Sequence, residues 1–216
     1  INHCNDLNVV IDAMTHSGLE NRGIVLASKS VLTSVEGNHP YLTQHHKKLV
    51  EKIMSLEKNH KIGIELVEIN ALPAEHTDNS AVGFKFFCPK FTLSYTGDTI
   101  VTTELLESLS GTDILILNVP YPGDKGAYLN LDTESATKII SHVRPKLAIL
   151  THFGLEMIKA DPILCLHVAR FAGKLHREKN SQITSIDHAI NSLGMNRLEQ
   201  LIARLPTIRL SASSVT

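Results

Sequence analysis

The sequence has few cysteines, no tryptophan and almost no net charge. Its three cysteines, Cys4, Cys88 and Cys165, are far apart and form neither a Cys-x-x-Cys metal motif nor an even set for disulfides. We therefore expect a reducing, cytoplasmic location. A formal net charge of −1 provides no broad basic surface for long nucleic acid. No apolar run approaches the roughly 18 residues that a membrane-spanning helix needs, so a membrane partner is not expected either.

The chain is long enough for an enzyme-sized domain. Its 216 residues, 43% of them hydrophobic, are sufficient for one sizeable core, and we predict a single domain over residues 1–216. Residues 113–118 are almost continuously apolar and predict a buried strand, 133–143 a helix and 147–150 another strand. This alternation is typical of an α/β layered fold. The pattern alone does not distinguish a two-sheet sandwich from a doubly wound sheet.

The N-terminal half shows two helical and four strand-like patterns. Helices are predicted over residues 6–15 and from His39 onward, the second with Leu49, Ile53 and Leu56 on its apolar face. Strands are predicted over residues 23–28, 62–69, 81–87 and 91–95, the last two as a hairpin.

The C-terminal region, residues 161–216, carries two helical patterns rich in leucine. We predict that these helices cover the core. The alternative is a small interaction module, because residues 195–202 show heptad-like spacing that would suit a homodimer contact. Leucine spacing does not separate these two interpretations.

Three strand-like runs end on residues that bind metals. His76, Asp98 and His152 each follow such a run, in the segments 74–78, 91–99 and 148–154. Strands hold their ends rigidly, so ligands distant in sequence can converge within the roughly 2.0 to 2.2 Å reach of zinc-bound imidazole and carboxylate. The sequence therefore predicts a metal site on the rim of a sheet. The alternative is a Gly-Asp turn and two ordinary histidines.

The order of these motifs resembles the later half of the metallo-β-lactamase superfamily of metal-dependent hydrolases. The matching segments are His76, then Gly97-Asp98-Thr99, then Thr151-His152-Phe153-Gly154. The resemblance implies an αββα sandwich in which His76 and His152 bind metal and Asp98 bridges two divalent metal ions. Zinc is the expected metal, with iron or manganese compatible with the same oxygen and imidazole ligands.

The early motif of that family, His-x-His-x-Asp-His, is not intact in this sequence. Ile1-Asn2-His3-Cys4 resembles its beginning, and Asn5-Asp6-Leu7 resembles the segment just beyond it. His3 would then be the first metal ligand; the alternative is a terminal residue without a role. Members of the family also carry strands before this motif. We therefore expect that the working protein has further residues before Ile1 and after Cys4.

The resemblance also implies a reaction. A water held by two divalent ions loses a proton near neutral pH and becomes the nucleophile, so Asp98 and His152 are the predicted catalytic residues. Residues 76–84 look like the phosphodiesterase and RNase Z branch, which favours a small-molecule or short phosphodiester substrate. Asn118, where that branch has glutamate, is expected to bind substrate with Tyr121 and Lys125 of the following loop. The alternative for this loop is a rigid Pro-Gly turn with a surface lysine.

Two other functions stay open on sequence alone. One is a thioester or lactone hydrolase on the same fold. The other is a non-catalytic, metal-free binding or assembly protein, which loss of the early histidine motif would favour. Fold and metal ligands permit many chemistries, so no physiological substrate can be inferred from these residues.

Overall fold

The computed structural model describes residues 4–33, 39–123, 129–177 and 184–202, which form an α/β structure with two sheets. The helices are α1 Leu7–Met14, α2 Lys29–Leu32, α3 Gln44–Lys47, α4 Thr103–Ser108, α5 Thr133–Val143, α6 Leu155–Ala160, α7 Pro162–Arg177, α8 Ile186–Leu193 and α9 Met195–Ile202. The strands are β1 Ile24–Ser28, β2 Lys52–Leu56, β3 Lys61–Ile64, β4 Val67–Pro73, β5 Val82–Phe87, β6 Thr92–Tyr95, β7 Ile114–Asn118 and β8 Leu147–Thr151.

The larger sheet has six strands in the order β3-β4-β5-β6-β7-β8. Strands β3 to β6 form an antiparallel meander, and β7 and β8 then continue parallel to β6. Helices α4 and α5 make the two crossovers that parallel neighbours require. Strand β4 points in the same direction as β6, β7 and β8, because two antiparallel pairings separate it from β6. The carboxyl ends of these four strands therefore meet at one edge of the sheet.

One face of the large sheet is buried under α4 and α5. Leu115 and Leu117 of β7 are fully buried against Leu105 and Leu109 around α4 and Ile139 of α5. Full burial of each such side chain contributes roughly 1.5 to 3 kcal/mol. This cluster holds the sheet whose strand ends carry the predicted metal ligands.

The opposite face of the same sheet is also apolar. One residue from each strand lies in a continuous row across it: Ile62, Ile69, Phe86, Leu93, Ile114 and Leu147. All six keep some solvent exposure within the described part of the chain, and Leu147 is 40% exposed. A sheet face in contact with water normally carries polar residues. The composition of this face is that of a sheet packed on a second layer, as in the αββα sandwich.

The smaller sheet consists of β1 and β2, which pair in parallel. With α1 it surrounds a separate apolar cluster that includes Ile11, Val25 and Leu42. A hydrogen bond from Ser30 Oγ to Asp78 Oδ2, 2.5 Å long, joins this unit to the loop that follows β4. The smaller sheet is thus tied to the segment that carries His76.

The predicted long helix from His39 through Leu56 is wrong. Thr43 caps a single turn, α3, by accepting a hydrogen bond from the His46 backbone N–H, and residues 52–56 form strand β2. The apolar positions Leu49, Ile53 and Leu56 fit a helical spacing, but pairing with β1 overrides that local preference.

The predicted single strand over residues 62–69 is also wrong. It is a hairpin of β3 and β4, reversed at Glu65, whose φ is 52°, and at Leu66, which is 80% exposed. Apolar and polar residues alternate in both strands, and the turn between them is short. The sequence pattern therefore does not reveal where the chain reverses direction.

The C-terminal helices pack mainly on one another. Ile158, Val168, Ala172 and Ile190 belong to one buried cluster whose members all come from α6 to α9. The second predicted helical pattern is two helices, interrupted at Gly194, whose φ is 71°. The boundary at residue 161, the single domain and the homodimer stay predictions. No helix in the described ranges is long and apolar enough to cross a membrane.

A buried lysine lies under α4. Lys85 is 6% exposed, and its Nζ donates hydrogen bonds to the backbone oxygens of Ser108, at 3.0 Å, and Ser110. Burial lowers the pKa of Lys85 below the ordinary lysine value of 10.5. Between the two pKa values the unfolded chain holds more protons than the folded chain, so the free energy of unfolding rises with pH across that window.

We therefore expect the stability of the wild type, relative to Lys85→Met, to increase as the pH approaches 10.5 from below. Methionine has a similar volume and no titratable group, so the difference isolates the lysine. Urea unfolding of both proteins at about pH 8 and about pH 10 measures it. A relative stability that falls over this interval would contradict the direction of the pKa change.

Candidate metal site

The predicted metal ligands follow strands that end at the same sheet edge. His76 follows β4, Asp98 follows β6 and His152 follows β8, while Asn118 is the last residue of β7. Because the carboxyl ends of these strands converge, three predicted ligands and one predicted substrate residue lie together.

Backbone contacts fix the loop of His76 against the loop of Asp98. Thr99, which is fully buried, accepts a hydrogen bond at its Oγ1 from the backbone N–H of Glu75, at 2.9 Å. The N–H of Ile100 donates to the carbonyl of Glu75 at 3.2 Å. Thr99 and Ile100 therefore tie the loop of Asp98 to the loop of His76.

The loop of His152 is held in a strained conformation. His152 has a φ of 63°, a left-handed value that costs a non-glycine residue roughly 1 to 3 kcal/mol. The next turn is fixed by a 3.1 Å hydrogen bond from the Gly154 N–H to the carbonyl of Pro120. A Cβ on Gly154 would lie 2.5 Å from that oxygen. Only glycine allows this approach between the loops that follow β7 and β8.

The carboxylate of Asp98 lies between the two histidines. Its Oδ2 is 3.8 Å from Nε2 of His76, and its Oδ1 is 3.6 Å from Nε2 of His152. Two ligand atoms that are each about 2.1 Å from a tetrahedral ion are about 3.4 Å apart. Both pairs are therefore close to the spacing of two donors on one metal ion. Each carboxylate oxygen is paired with a different histidine, as a bridging role requires.

The proton on His76 is placed for metal binding. Its Nδ1 is 2.9 Å from the carbonyl oxygen of Leu129. A carbonyl only accepts, so Nδ1 carries a hydrogen. In the neutral ring the lone pair is then on Nε2, the atom that faces Asp98. Leu129 has a φ of 55°, which marks a strained turn at the point where its carbonyl meets the histidine.

Asn118 holds the other side of Asp98. Its Nδ2 donates to Asp98 Oδ1 at 3.0 Å and to the hydroxyl oxygen of Tyr95 at 3.2 Å. Its Oδ1 is buried and has no hydrogen-bond partner among the described residues. Burial raises the pKa of Tyr95, the Asn118 hydrogen bond opposes this rise, and the charge of Asp98 adds to it. Tyr95 was missed by sequence reasoning, where it is only an aromatic residue in a strand.

The described residues bring together two pairs of possible metal donors, His76 with Asp98 Oδ2 and His152 with Asp98 Oδ1. No group of three or more His, Cys, Asp or Glu side chains within the described ranges is arranged to hold a metal ion by itself. Zinc usually has four ligands, so water, substrate or residues outside those ranges would complete each position. The donor types, the tautomer of His76 and the two pair distances fit divalent metal.

Two predicted site residues, His3 and Lys125, lie outside the described residues. Tyr121 is half-buried in the loop after β7, where it forms an isolated bridge with Asp132. Asn118 is 1% exposed and contacts Asp98 directly. Substrate binding by Asn118, Tyr121 and Lys125 stays a prediction.

The family follows from a comparison with family models. Residues 1–153 match the model described as "Beta-lactamase superfamily domain", which is well over half of the chain. The chain belongs to the metallo-β-lactamase superfamily. The resemblance noted in the sequence is thereby confirmed, as is the α/β fold.

One curated relative is the uncharacterized protein MJ1374 of Methanocaldococcus jannaschii. It is 26% identical over 165 residues, which cover 73% of this chain and 62% of the relative. The present chain thus spans less than two thirds of the length of that protein.

Solved structures of other proteins share this fold. The metallo-β-lactamase fold protein YhfI of Bacillus subtilis matches with a TM-score of 0.59 at 15% identity, over 73% of this chain and 64% of YhfI. A diphosphatase from the PhnP family matches with a TM-score of 0.50 at 16% identity, over 71% and 54% of the two chains. Zinc-bound PqqB of Methylobacterium extorquens matches with a TM-score of 0.50 at 14% identity, over 71% and 56%.

Proposed function

We propose that this metallo-β-lactamase-fold protein is a metal-dependent hydrolase of a phosphodiester or another ester-like bond. The observation that carries the proposal is the position of the Asp98 carboxylate, with one oxygen facing Nε2 of His76 and the other facing Nε2 of His152. The fold is shared with zinc-bound PqqB, which supports a metal, and with a PhnP-family diphosphatase, which supports a substrate that contains phosphate.

His76 with Asp98 Oδ2 would hold one divalent ion, and His152 with Asp98 Oδ1 would hold the other. A bound divalent ion lowers the pKa of a coordinated water and polarises the scissile group. The surrounding residues keep this arrangement in place. Leu129 orients His76 through its ring hydrogen, and Asn118 limits rotation of the carboxylate. The side chain of Asp98 is only 11% exposed, which limits competition from water.

The preference for a phosphodiester rests on two supports. Residues 76–84 resemble the phosphodiesterase branch of the superfamily, and one structural neighbour is named a diphosphatase. Thioesters and lactones are the competing substrates on the same fold, and they need the same metal-binding residues.

A second candidate is a metal-free binding protein. It is favoured by one observation: the described residues supply only two donors for each metal position. In that case His76, Asp98 and His152 would form a polar cluster without catalytic turnover.

A substrate panel separates these functions. We expect the full chain, incubated with zinc or manganese, to hydrolyse bis-p-nitrophenyl phosphate faster than thioesters or lactones. His152→Ala should lower the rate by roughly a hundredfold or more, because it removes one of two protein donors at a metal position. The matched control, His142→Ala, alters an exposed histidine in α5 and should leave the rate unchanged.

Faster turnover of thioesters or lactones would overturn the phosphodiester assignment but not the metal site. Absence of turnover on every substrate by metal-loaded protein would favour the binding role.

A further inference from the structure

The hydroxyl group of Tyr95 is oriented by the candidate site without being one of its metal-binding atoms. The amide nitrogen of Asn118 must face Asp98, since an ionised carboxylate oxygen accepts and does not donate. That same nitrogen lies 3.2 Å from the Tyr95 oxygen. The tyrosine oxygen therefore accepts a hydrogen bond from Asn118, and its own hydrogen points elsewhere.

The Tyr95 hydrogen has no acceptor among the described residues. Tyr95 is half-buried as the last residue of β6, and it lies on the same face of the large sheet as Asn118, near the edge where the strand ends meet. Its oxygen is two hydrogen bonds away from Asp98, through one shared nitrogen. An oriented donor with a free hydrogen next to a hydrolytic centre suits an oxygen atom of the substrate that gains negative charge during the reaction.

The orphaned oxygen of Asn118 supports this interpretation. Asn118 is 1% exposed, and its Oδ1 is buried without a partner. An unpaired buried acceptor destabilises the folded chain. The amide keeps this orientation because both of its hydrogens are used, one on Asp98 and one on Tyr95. An unpaired buried group of this kind calls for an explanation, and a functional role is one.

We propose that Tyr95 is a substrate-contacting residue: its O–H, oriented by Asn118, donates a hydrogen bond to a substrate oxygen that becomes negatively charged in the transition state. The proton stays on Tyr95 throughout, so the step requires no further acid. This assignment rests on the proposed hydrolytic function and deepens it. It implies a substrate with an anionic or polarised oxygen beside the scissile bond, as in a phosphate ester.

The test uses Tyr95→Phe, which keeps the ring and removes only the hydroxyl. On bis-p-nitrophenyl phosphate we expect kcat to fall roughly 10- to 100-fold with little change in KM, because the hydrogen bond strengthens only in the transition state. Inorganic vanadate, a transition-state mimic, should bind about tenfold more weakly. Metal content and the thermal midpoint should stay at wild-type values. The matched control is Tyr41→Phe, whose hydroxyl bonds to Asn5 and should not affect either measurement.

Unchanged kcat and unchanged vanadate affinity in Tyr95→Phe would overturn the assignment. If Asp98→Asn nevertheless inactivated the enzyme, the proposed hydrolytic function would stand without the assignment of Tyr95. A wild type that hydrolyses no ester and binds no vanadate would instead contradict the proposed function, and the assignment of Tyr95 would fall with it. If Tyr95→Phe failed to fold, 3-fluorotyrosine at position 95 would replace it. A more acidic hydroxyl should then bind vanadate more tightly, and unaltered binding would count against the proposal.

Discussion

Replacement of Asp98 by alanine is expected to remove metal binding and hydrolysis together. Asp98 is the residue that faces both His76 and His152, at 3.8 and 3.6 Å, so its loss leaves one described donor at each metal position. A bound metal contributes several kcal/mol to the transition state, which corresponds to a rate loss of about a thousandfold or more. Elemental analysis and turnover of bis-p-nitrophenyl phosphate measure the two effects on the same sample.

The control for this variant is Asp187→Ala, which changes an exposed carboxylate in α8 that pairs with Lys159. It should keep full metal content and full activity. Metal content retained by Asp98→Ala would refute the bridging role of this residue, whatever happened to the rate.

Replacement of Gly154 by alanine is expected to disturb the site without touching a ligand. The added Cβ would lie 2.5 Å from the backbone oxygen of Pro120. Because that oxygen belongs to the backbone, rotation of a side chain cannot relieve the clash. Forced repacking of this kind typically costs about 1 to 3 kcal/mol. The loop would shift next to the strained His152, so metal affinity should fall roughly 10- to 100-fold, as for loss of other supporting contacts.

Gly63→Ala is the matched control. Gly63 lies in β3, and a Cβ there would meet no atom within 4 Å. Urea unfolding and a zinc titration of both variants separate the two cases. Wild-type stability and zinc affinity in Gly154→Ala would show that the close approach of the two loops does not support the site.

The convergence of the three candidate ligands could be predicted from sequence, because apolar strand patterns show where strands end. Apolar runs end next to His76, Asp98 and His152, and side chains that follow strands of like direction must meet at one sheet edge. The pairing that gives β4 its direction could not be predicted, because the alternation over residues 62–69 predicts one strand and does not reveal the hairpin of β3 and β4. The position of His76 after the strand was nevertheless correct.

The supporting contacts could not be predicted in the same way. The carbonyl of Leu129 meets His76 across 53 positions of sequence, and a backbone oxygen has no residue-type signal. Tyr95 and Gly154 act through contacts with Asn118 and Pro120, which only the folded chain brings near. Sequence patterns describe which elements form, whereas these contacts depend on how loops from different strands are arranged.

The helix predicted from His39 failed for a related reason. The spacing of the apolar residues Leu49, Ile53 and Leu56 fits a helix, but strand β1 pairs with residues 52–56 along their whole length. Tertiary pairing of this kind outweighs a local preference worth a few tenths of a kcal/mol per residue.

The most direct test of the central claim is the metal content of the full chain after incubation with zinc, manganese or iron and removal of unbound ions, measured by elemental analysis. A carboxylate placed between two histidines predicts about two divalent ions per chain. A content near zero with all three metals would contradict the account and leave the cluster of His76, Asp98 and His152 with a role other than metal-dependent hydrolysis.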